Sequence, residues 1–166
     1  AGGLGQYAIR YLRLLTEAEV VVLDRAADKR ANALEVGAHA VVDEQTAGDG
    51  SIAPVDAVLD FAGADSTLAV ARDVVRRGGL VVVVGLAGGR LPYGFAAVPH
   101  EARFMTSVWG SRRQLDELLD LARHEPSIVQ TVEILPLERA QEAHDRLRAG
   151  QVRGRIVLVP NPTSQE

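Results

Sequence analysis

Short apolar runs alternate with helix-like segments along almost the whole chain, and this alternation limits the fold more than any other feature. Runs such as VVVL at 20–23 and LVVVV at 80–84 have the length and composition of buried strands. The segment at 65–77 opens with Asp and Ser, which are typical helix caps. Strands that alternate with helices in this way predict βαβ units and a parallel sheet covered by helices on both faces.

The composition is that of an ordinary globular protein and excludes several classes of partner. The chain has 166 residues, of which 47% are hydrophobic and 24% charged, with a net charge of -4. An acidic chain without a basic stripe is not expected to bind nucleic acid. The apolar runs are too short to cross a membrane, and no signal peptide is visible. We therefore expect a cytoplasmic protein with neither nucleic acid nor membrane among its partners.

The opening residues AGGLG resemble part of a phosphate-binding turn. In the fingerprint G-x-G-x-x-G, the glycines allow a tight turn, close approach of the backbone to a pyrophosphate, and close packing of the following helix. Gly2 and Gly5 have the spacing of the second and third glycines, and the first would precede Ala1. The amides of Gly3, Leu4 and Gly5 can then point at an anion along the helix axis. The following helix is predicted at 3–15, with an apolar face at Leu4, Ala8, Leu12 and Leu15.

Asp24 gives the glycine turn its context. It ends the predicted strand at 19–24 and lies 19 residues after Gly5. A carboxylate at this place accepts hydrogen bonds from the adenosine ribose hydroxyls and repels a 2′-phosphate, so it predicts NAD as the cofactor. Arg25 follows directly and leaves NADP as an alternative cofactor, because an arginine there can lie over the adenine or tolerate the 2′-phosphate. Turn and acid together predict a Rossmann-type doubly wound parallel sheet.

The strand that normally precedes such a turn is not found before Ala1. In the strand order 3-2-1-4-5-6 this first strand is central, so the predicted sheet lacks its first strand. We expect that the polypeptide is longer than this chain, while closure of the gap by the flanking strands, or its filling by another segment, stays open. Pro126 marks the one internal boundary, which predicts a dinucleotide-binding domain at 1–124 and a strand–helix–strand segment with a tail at 125–166.

The motifs occur in the order found in the medium-chain, zinc-dependent alcohol dehydrogenases, and they look most similar to the bacterial secondary-alcohol branch. The segments that carry the resemblance are AGGLGQYAI, VVVLDRAADKRANALEVGAHAVVD, DAVLDFAGADSTL, GGLVVVVGLAGG, WGSRRQLDELLDLA and LRAGQVRGRIVLVP. The resemblance covers nearly all of the chain but only about the second half of such an enzyme. It implies the NAD-binding portion of an oxidoreductase that moves a hydride between an alcohol or ketone and NAD.

The resemblance also implies roles for individual residues. Gly2, Gly3, Leu4 and Gly5 match the pyrophosphate turn, and Asp24 and Lys29 match residues beside the adenosine ribose. Further cofactor contacts are implied at Val84, Gly85 and Leu86 beside the nicotinamide carboxamide, at Phe61 and Gly63 on the border of the cleft, and at Arg155 on the pyrophosphate. Trp109 matches a bulky residue near the substrate pocket. A purely structural role stays open for Lys29, Val84, Trp109 and Arg155.

No catalytic or metal-ligating residue is assigned in this chain. The family's zinc is held by Cys, His and an acid in its N-terminal catalytic domain, whereas this chain has no cysteine and four scattered histidines. We therefore expect no alcohol oxidation by the chain alone. The apolar strand at 103–109 resembles the edge strand through which members of the family form a homodimer, and an apolar edge predicts self-association in any case.

Other nucleotide-binding classes fit the residues less well. The short-chain dehydrogenases need Tyr-x-x-x-Lys, and no tyrosine here has a lysine four positions later. A methyltransferase also has a glycine turn and an acid, but it is not expected to end in RGRIVLVP. A quinone-reductase-like medium-chain member, which would prefer NADPH, and a non-catalytic nucleotide-binding module remain as alternatives.

Overall fold

The structure is a computed structural model that describes residues 1–50 and 52–160. The predicted tail at 161–166 lies outside the described residues. The helices are α1 (Gly3–Leu15), α2 (Ala27–Glu35), α3 (Glu44–Gly48), α4 (Asp65–Val74), α5 (Arg112–His124) and α6 (Ala140–Arg148). The strands are β1 (Val21–Leu23), β2 (Ala40–Val42), β3 (Val55–Asp60), β4 (Val75–Val83), β5 (Arg103–Thr106), β6 (Val132–Pro136) and β7 (Arg155–Val159).

The chain divides into two compact units, of which the first comprises residues 1–41 and 118–160. Its core is a cluster of Ile9 from α1, Val20 before β1, Ala33 from α2 and Ala38 before β2. Strand β1 pairs with β2, and β6 pairs with β7 in parallel register. The apolar side of α1 is therefore held against the first crossover helix and the first strand, as expected for βαβ packing.

The second unit comprises residues 42–117 and contains a parallel sheet in the order β3-β4-β5. Its core cluster contains Ala71 from α4, Val75 and Val81 from β4, and Ala102 before β5. The pairing of β3 with β4 is irregular between Val55 and Ala57, so the regular register begins at Ala57 and Leu80. Helix α4 packs on this sheet and connects β3 to β4, which is a parallel crossover.

These parallel sheets and their intervening helices confirm the predicted α/β class. The groups β1–β2 and β3–β4–β5 are the strand sets that the order 3-2-1-4-5-6 contains besides its first strand. Each of the described helices is too short or too polar to span a bilayer.

The predicted apolar face of α1 is only partly correct, because its Leu12 packs against the core cluster while its outer leucines do not. Gln6 and Ile9 are the buried residues of this helix, whereas Leu4 and Leu15 are 48% and 61% exposed. The buried face is therefore centred on Gln6 and Ile9, with Leu12 packed beside it and Leu4 and Leu15 outside it.

Two further local predictions had different outcomes. Ser111 caps α5 as predicted, because its hydroxyl accepts a hydrogen bond from the Gln114 amide at 3.2 Å and the Gln114 side chain accepts one from the Ser111 amide at 2.7 Å. The predicted loop after β2 is wrong at its start, where α3 forms. Asp43 precedes that helix and accepts a hydrogen bond from the Thr46 amide at 2.9 Å.

Candidate functional site

The first turn of α1 has backbone N–H groups without a hydrogen-bond partner from an acidic side chain of the same turn. Gly2 is the residue before the helix, with an extended backbone (φ -78°, ψ -164°), and its carbonyl accepts the first helical hydrogen bond from Gln6 at 3.1 Å. In the described residues, no side chain caps this helix start, and its first turn contains no acid. Free N–H groups and the positive end of the helix dipole together favour an anion at this position.

Asp24 lies at the C-terminal end of β1 with its carboxylate beside the start of the glycine turn. Its Oδ2 lies 2.5 Å from the Ala1 ammonium nitrogen, and its Oδ1 accepts a hydrogen bond from the Ala26 amide at 3.0 Å. Burial by itself raises the pKa of Asp24. The two hydrogen bonds and the positive charges of the Ala1 ammonium and Lys29 outweigh burial and hold this pKa below its usual value. The carboxylate is therefore ionised at neutral pH.

Arg30 forms hydrogen bonds with the backbone carbonyls of Asp24 and Arg25. Its Nη1 donates to the carbonyl of Asp24 at 2.8 Å and to that of Arg25 at 2.9 Å. The Arg25 side chain is exposed and Lys29 is half-buried. We did not single out Arg30 from the sequence, although an arginine in the first turns of the helix after an acid is a visible signal for such a contact.

Arg155 lies against the glycine turn in the folded first unit. A Cβ atom built on Gly3 would lie 2.8 Å from Arg155 Nε and 3.0 Å from the Gly154 carbonyl oxygen, so the two segments approach each other closely at this glycine. The Arg155 side chain is exposed. The structure thus brings together two of the sequence-predicted residues, Gly3 and Arg155, that come from opposite ends of the chain.

In the second unit, Asp60 organises the turn that contains the predicted residues Phe61 and Gly63. Its buried side chain accepts hydrogen bonds from the amides of Ala62 and Gly63 at 2.8 and 2.9 Å and from the Thr67 hydroxyl at 2.8 Å. Asp60 was also missed in the sequence. Its signal is the same as that of Asp24, an acid that ends an apolar strand next to a small-residue turn.

This turn and the end of β4 approach each other closely enough to require glycines. The amides of Val84 and Gly85 donate to the Asp60 carbonyl at 2.8 and 3.0 Å. A Cβ on Gly63, whose φ is +67°, would lie 2.8 Å from the Gly85 carbonyl carbon. The predicted residues Gly63, Val84 and Gly85 therefore lie together, and the Leu86 side chain beyond them is 88% exposed.

Trp109 follows β5 in an unusual backbone conformation. Its φ is +59°, in the left-handed region that bulky residues rarely adopt, and its side chain is 94% exposed. Its predicted position near a substrate pocket stays a prediction.

The described residues do not fit a zinc site. No three His, Asp or Glu side chains in the described part of the chain come together in an arrangement that could hold a metal ion, and the sequence has no cysteine. Zinc in catalytic sites needs three protein ligands with an open position, so no step of the chemistry is assigned to a metal on these residues.

Residues 3–124 match the family model described as zinc-binding dehydrogenase. A curated NAD-dependent alcohol dehydrogenase of Sulfolobus acidocaldarius is 31% identical over 167 residues, which are 95% of this chain and 47% of that protein. The chain spans about half the length of the curated relatives it matches.

Solved structures agree with the sequence matches. The alcohol dehydrogenase of Aeropyrum pernix has a TM-score of 0.84 at 30% identity, over 96% of this chain and 48% of that one. Acetophenone reductase from Geotrichum candidum, solved in complex with NAD, also has a TM-score of 0.84, at 27% identity, over 95% of this chain and 46% of that one. The predicted Rossmann-type architecture and the predicted resemblance are confirmed.

Proposed function

The chain belongs to the zinc-binding dehydrogenase family, and from this premise we propose that it is the NAD(H)-binding portion of an alcohol dehydrogenase-like oxidoreductase. The observation that carries the proposal is the position of the Asp24 carboxylate, 2.5 Å from the nitrogen of Ala1, the residue before Gly2 of the glycine turn. One unit thus holds amides for a pyrophosphate and a carboxylate for the adjacent ribose. The NAD-dependent relative and the NAD complex of a solved neighbour support this cofactor.

The pyrophosphate is proposed to lie on the amides of Gly3, Leu4 and Gly5, with Gly2 allowing close approach and Arg155 supplying a positive charge. Free helix amides and an arginine are the groups that bind phosphates most readily in proteins. Arg155 is exposed and borders Gly3, which supports this assignment.

The adenosine ribose is proposed to bind Asp24, with Lys29 and Arg25 beside it. An ionised carboxylate accepts hydrogen bonds from both ribose hydroxyls, and it repels the 2′-phosphate of NADP. The low pKa of Asp24 supports its role as an acceptor across the neutral range. Arg30, which holds the Asp24 backbone carbonyl at 2.8 Å, keeps this acceptor in place.

In the second unit, the backbone at Val84, Gly85 and Leu86 is proposed to bind the nicotinamide carboxamide, with Phe61 and Gly63 at the border of the cleft. The Val84 and Gly85 amides already donate to the Asp60 carbonyl, which leaves the carbonyls of this segment as acceptors for the carboxamide N–H groups. Trp109 is proposed to border the substrate.

The whole protein is proposed to transfer a hydride between NAD and a small alcohol or ketone in the cytoplasm. NAD accepts or donates the hydride, and the part played by this chain is to bind and orient it. Residues 1–124 are proposed as the dinucleotide-binding domain. We expect no alcohol oxidation from this chain alone, because its described residues do not fit the zinc ligands of the family.

Calorimetric titration of the chain tests the proposed function. NADH is expected to bind saturably with one molecule per chain, whereas S-adenosylmethionine, the cofactor of the methyltransferase alternative, is expected not to bind. Absence of saturable NADH binding by a folded chain, or binding of S-adenosylmethionine in its place, would contradict the proposal.

A homodimer through the edge of β5 is also proposed. In the described sheet β3-β4-β5, strand β5 lies at the edge with Met105 52% exposed, and Val108, two residues beyond this strand, is 64% exposed. An apolar edge strand offers unpaired backbone groups to a second copy.

Met105→Glu is expected to convert the dimer to a monomer, because it places a charge on this edge. Light scattering at matched concentrations measures the change. Leu147→Glu is the control, since Leu147 on α6 is also an exposed apolar residue (62%, against 52% for Met105) and its variant is expected to remain dimeric. A wild-type chain that is monomeric at high micromolar concentration would contradict the proposed dimer.

A further inference from the structure

Gln130 is a buried polar residue that touches the glycine turn. Its side chain is 3% exposed, and its Nε2 donates a hydrogen bond to the Gly3 carbonyl at 3.1 Å. Gln130 lies just before β6, and both residues belong to the first unit. The contact therefore ties the start of α1 to the C-terminal part of that unit.

The other end of the same amide is left without a partner. Among the residues that the structure describes, Gln130 Oε1 is the one buried side-chain oxygen or nitrogen with no hydrogen bond. Buried acceptors of this kind are rare, because they lose their bonds to water without replacement. A leucine would fill nearly the same space without this loss. The reason for an amide at this position therefore lies in the hydrogen bond that its Nε2 donates to the Gly3 carbonyl.

The hydrogen bond acts on the peptide group that joins Gly3 to Leu4. The Gly3 carbonyl and the Leu4 N–H belong to one planar unit and point in opposite directions. A donor that fixes the carbonyl therefore fixes the direction of the Leu4 N–H, which is one of the free amides of the helix start. Hydrogen bonding at the carbonyl also polarises the group, so that the N–H becomes a stronger donor.

Gln130 also borders the strand start that carries Arg155. A Cβ on Gly154 would lie 3.2 Å from Gln130 Oε1, and one on Gly3 would lie 2.8 Å from Arg155 Nε. The amide thus contacts the helix start through its Nε2 and lies beside Gly154, the residue before Arg155.

We propose that Gln130 is a positioning residue for the pyrophosphate, which orients and polarises the Gly3–Leu4 peptide so that the Leu4 N–H binds a phosphate oxygen. The inference rests on the proposed function, because it needs a pyrophosphate at the start of α1. It adds to that function a residue that does not itself touch the cofactor.

The test compares a ligand with a pyrophosphate and one without it on the full chain. NADH binding is measured by calorimetry, and adenosine is measured as its competitor. Gln130→Leu is expected to weaken NADH binding about five- to tenfold, the effect of one hydrogen bond, and to leave adenosine binding within about twofold. The thermal midpoint should be unchanged or raised, since the unpartnered oxygen is removed.

The pH dependence of NADH binding in Gln130→Glu provides a measurement that a purely structural role of Gln130 would not change. An ionised carboxylate cannot donate to the Gly3 carbonyl and adds a negative charge near the phosphates, so NADH binding should be weakest at high pH. The affinity should recover as the pH falls and the acid becomes protonated, because a neutral carboxyl group can donate again. Gln141→Glu, at an exposed glutamine of α6, is the control and should show no such recovery.

Equal losses for NADH and adenosine in Gln130→Leu, or no loss for either, would overturn the inference. If that variant does not fold, the glutamate variant decides, and NADH affinity that does not rise with falling pH would overturn it as well. A wild-type chain that does not bind NADH contradicts the proposed function itself, and this result is obtained before any variant is examined.

Discussion

Gly85→Ala is expected to destabilise the second unit by about 3 kcal/mol, the upper end for overpacking, because the added methyl group has no room and its neighbours are backbone atoms. A Cβ on Gly85 would lie 2.5 Å from the Ala62 nitrogen, with the Ala62 carbonyl group also in contact. Backbone atoms cannot rotate away as a side chain can. The turn at 61–63 would have to move, and it is held in place by the Asp60 side chain through the amides of Ala62 and Gly63.

Urea unfolding of the two alanine variants Gly85→Ala and Gly88→Ala measures this effect against a matched control. Gly88 lies in the same loop with φ +78°, and a Cβ there would meet no atom within 4 Å. Gly88→Ala should therefore cost only the left-handed backbone strain of about 1–2 kcal/mol. A Gly85→Ala variant no less stable than Gly88→Ala would show that the close approach of the two turns is wrong.

Asp24→Ala is expected to weaken NADH binding about 10- to 100-fold, the range for hydrogen bonds to a charged group. The same change should leave NADPH binding equal or stronger, because it removes the repulsion between the carboxylate and the 2′-phosphate. Competitive titration with both cofactors measures the two effects. Asp28→Ala is the control, since Asp28 is the next acid along the chain, is exposed and lies in the first turn of α2.

The pH dependence of NADH binding follows from the direction of the Asp24 pKa. Because this pKa is lowered, the carboxylate remains ionised to a more acid pH than an ordinary Asp, whose pKa is about 3.9. NADH affinity should be constant from neutral to weakly acid pH and should fall only as the pH approaches the lowered pKa. An affinity that decreases between pH 7 and 5, or an Asp24→Ala variant that binds NADH like the wild type, would contradict the assignment of Asp24.

The parts of the fold that could be predicted from the sequence are those with short-range causes. Apolar runs of strand length, the glycines around α1 and the Ser-x-x-Gln cap of α5 each act within a few residues, so their effect is readable locally. The proximity of Gly3 and Arg155 was predicted for another reason, because the order of motifs resembles a known family.

Gln130 could not be recognised in the same way, whereas Asp60 was missed although its signal is local. Gln130 stands alone in an apolar segment and becomes meaningful only through its contact with Gly3, 127 positions away in the chain. Asp60 carried a usable local signal, because it ends an apolar strand just before Gly63, as Asp24 ends β1. The position of this acid next to a glycine-containing turn indicates that its side chain holds the turn amides.

The difference between the predicted and the buried face of α1 has a packing cause. Of the leucines with helical spacing, Leu12 is partly buried against the core cluster, yet Ile9 and Gln6 are the residues that become buried. Ile9 meets Val20, Ala33 and Ala38, all small or β-branched residues from later elements. Hydrophobic periodicity indicates which faces are apolar, but the choice of the buried face depends on the partner surfaces, which are formed far along the sequence.

The ratio of the NADPH to the NADH dissociation constant of the wild-type chain tests the central claim most directly. The claim is that Asp24, which lies beside the start of a pyrophosphate-binding turn, determines this ratio. Both constants can be obtained by calorimetry in the same buffer at neutral pH. The account predicts saturable NADH binding and a ratio above about 10. A carboxylate beside the 2′-position should weaken the binding of the 2′-phosphate at least about tenfold. A ratio of one or less would contradict it.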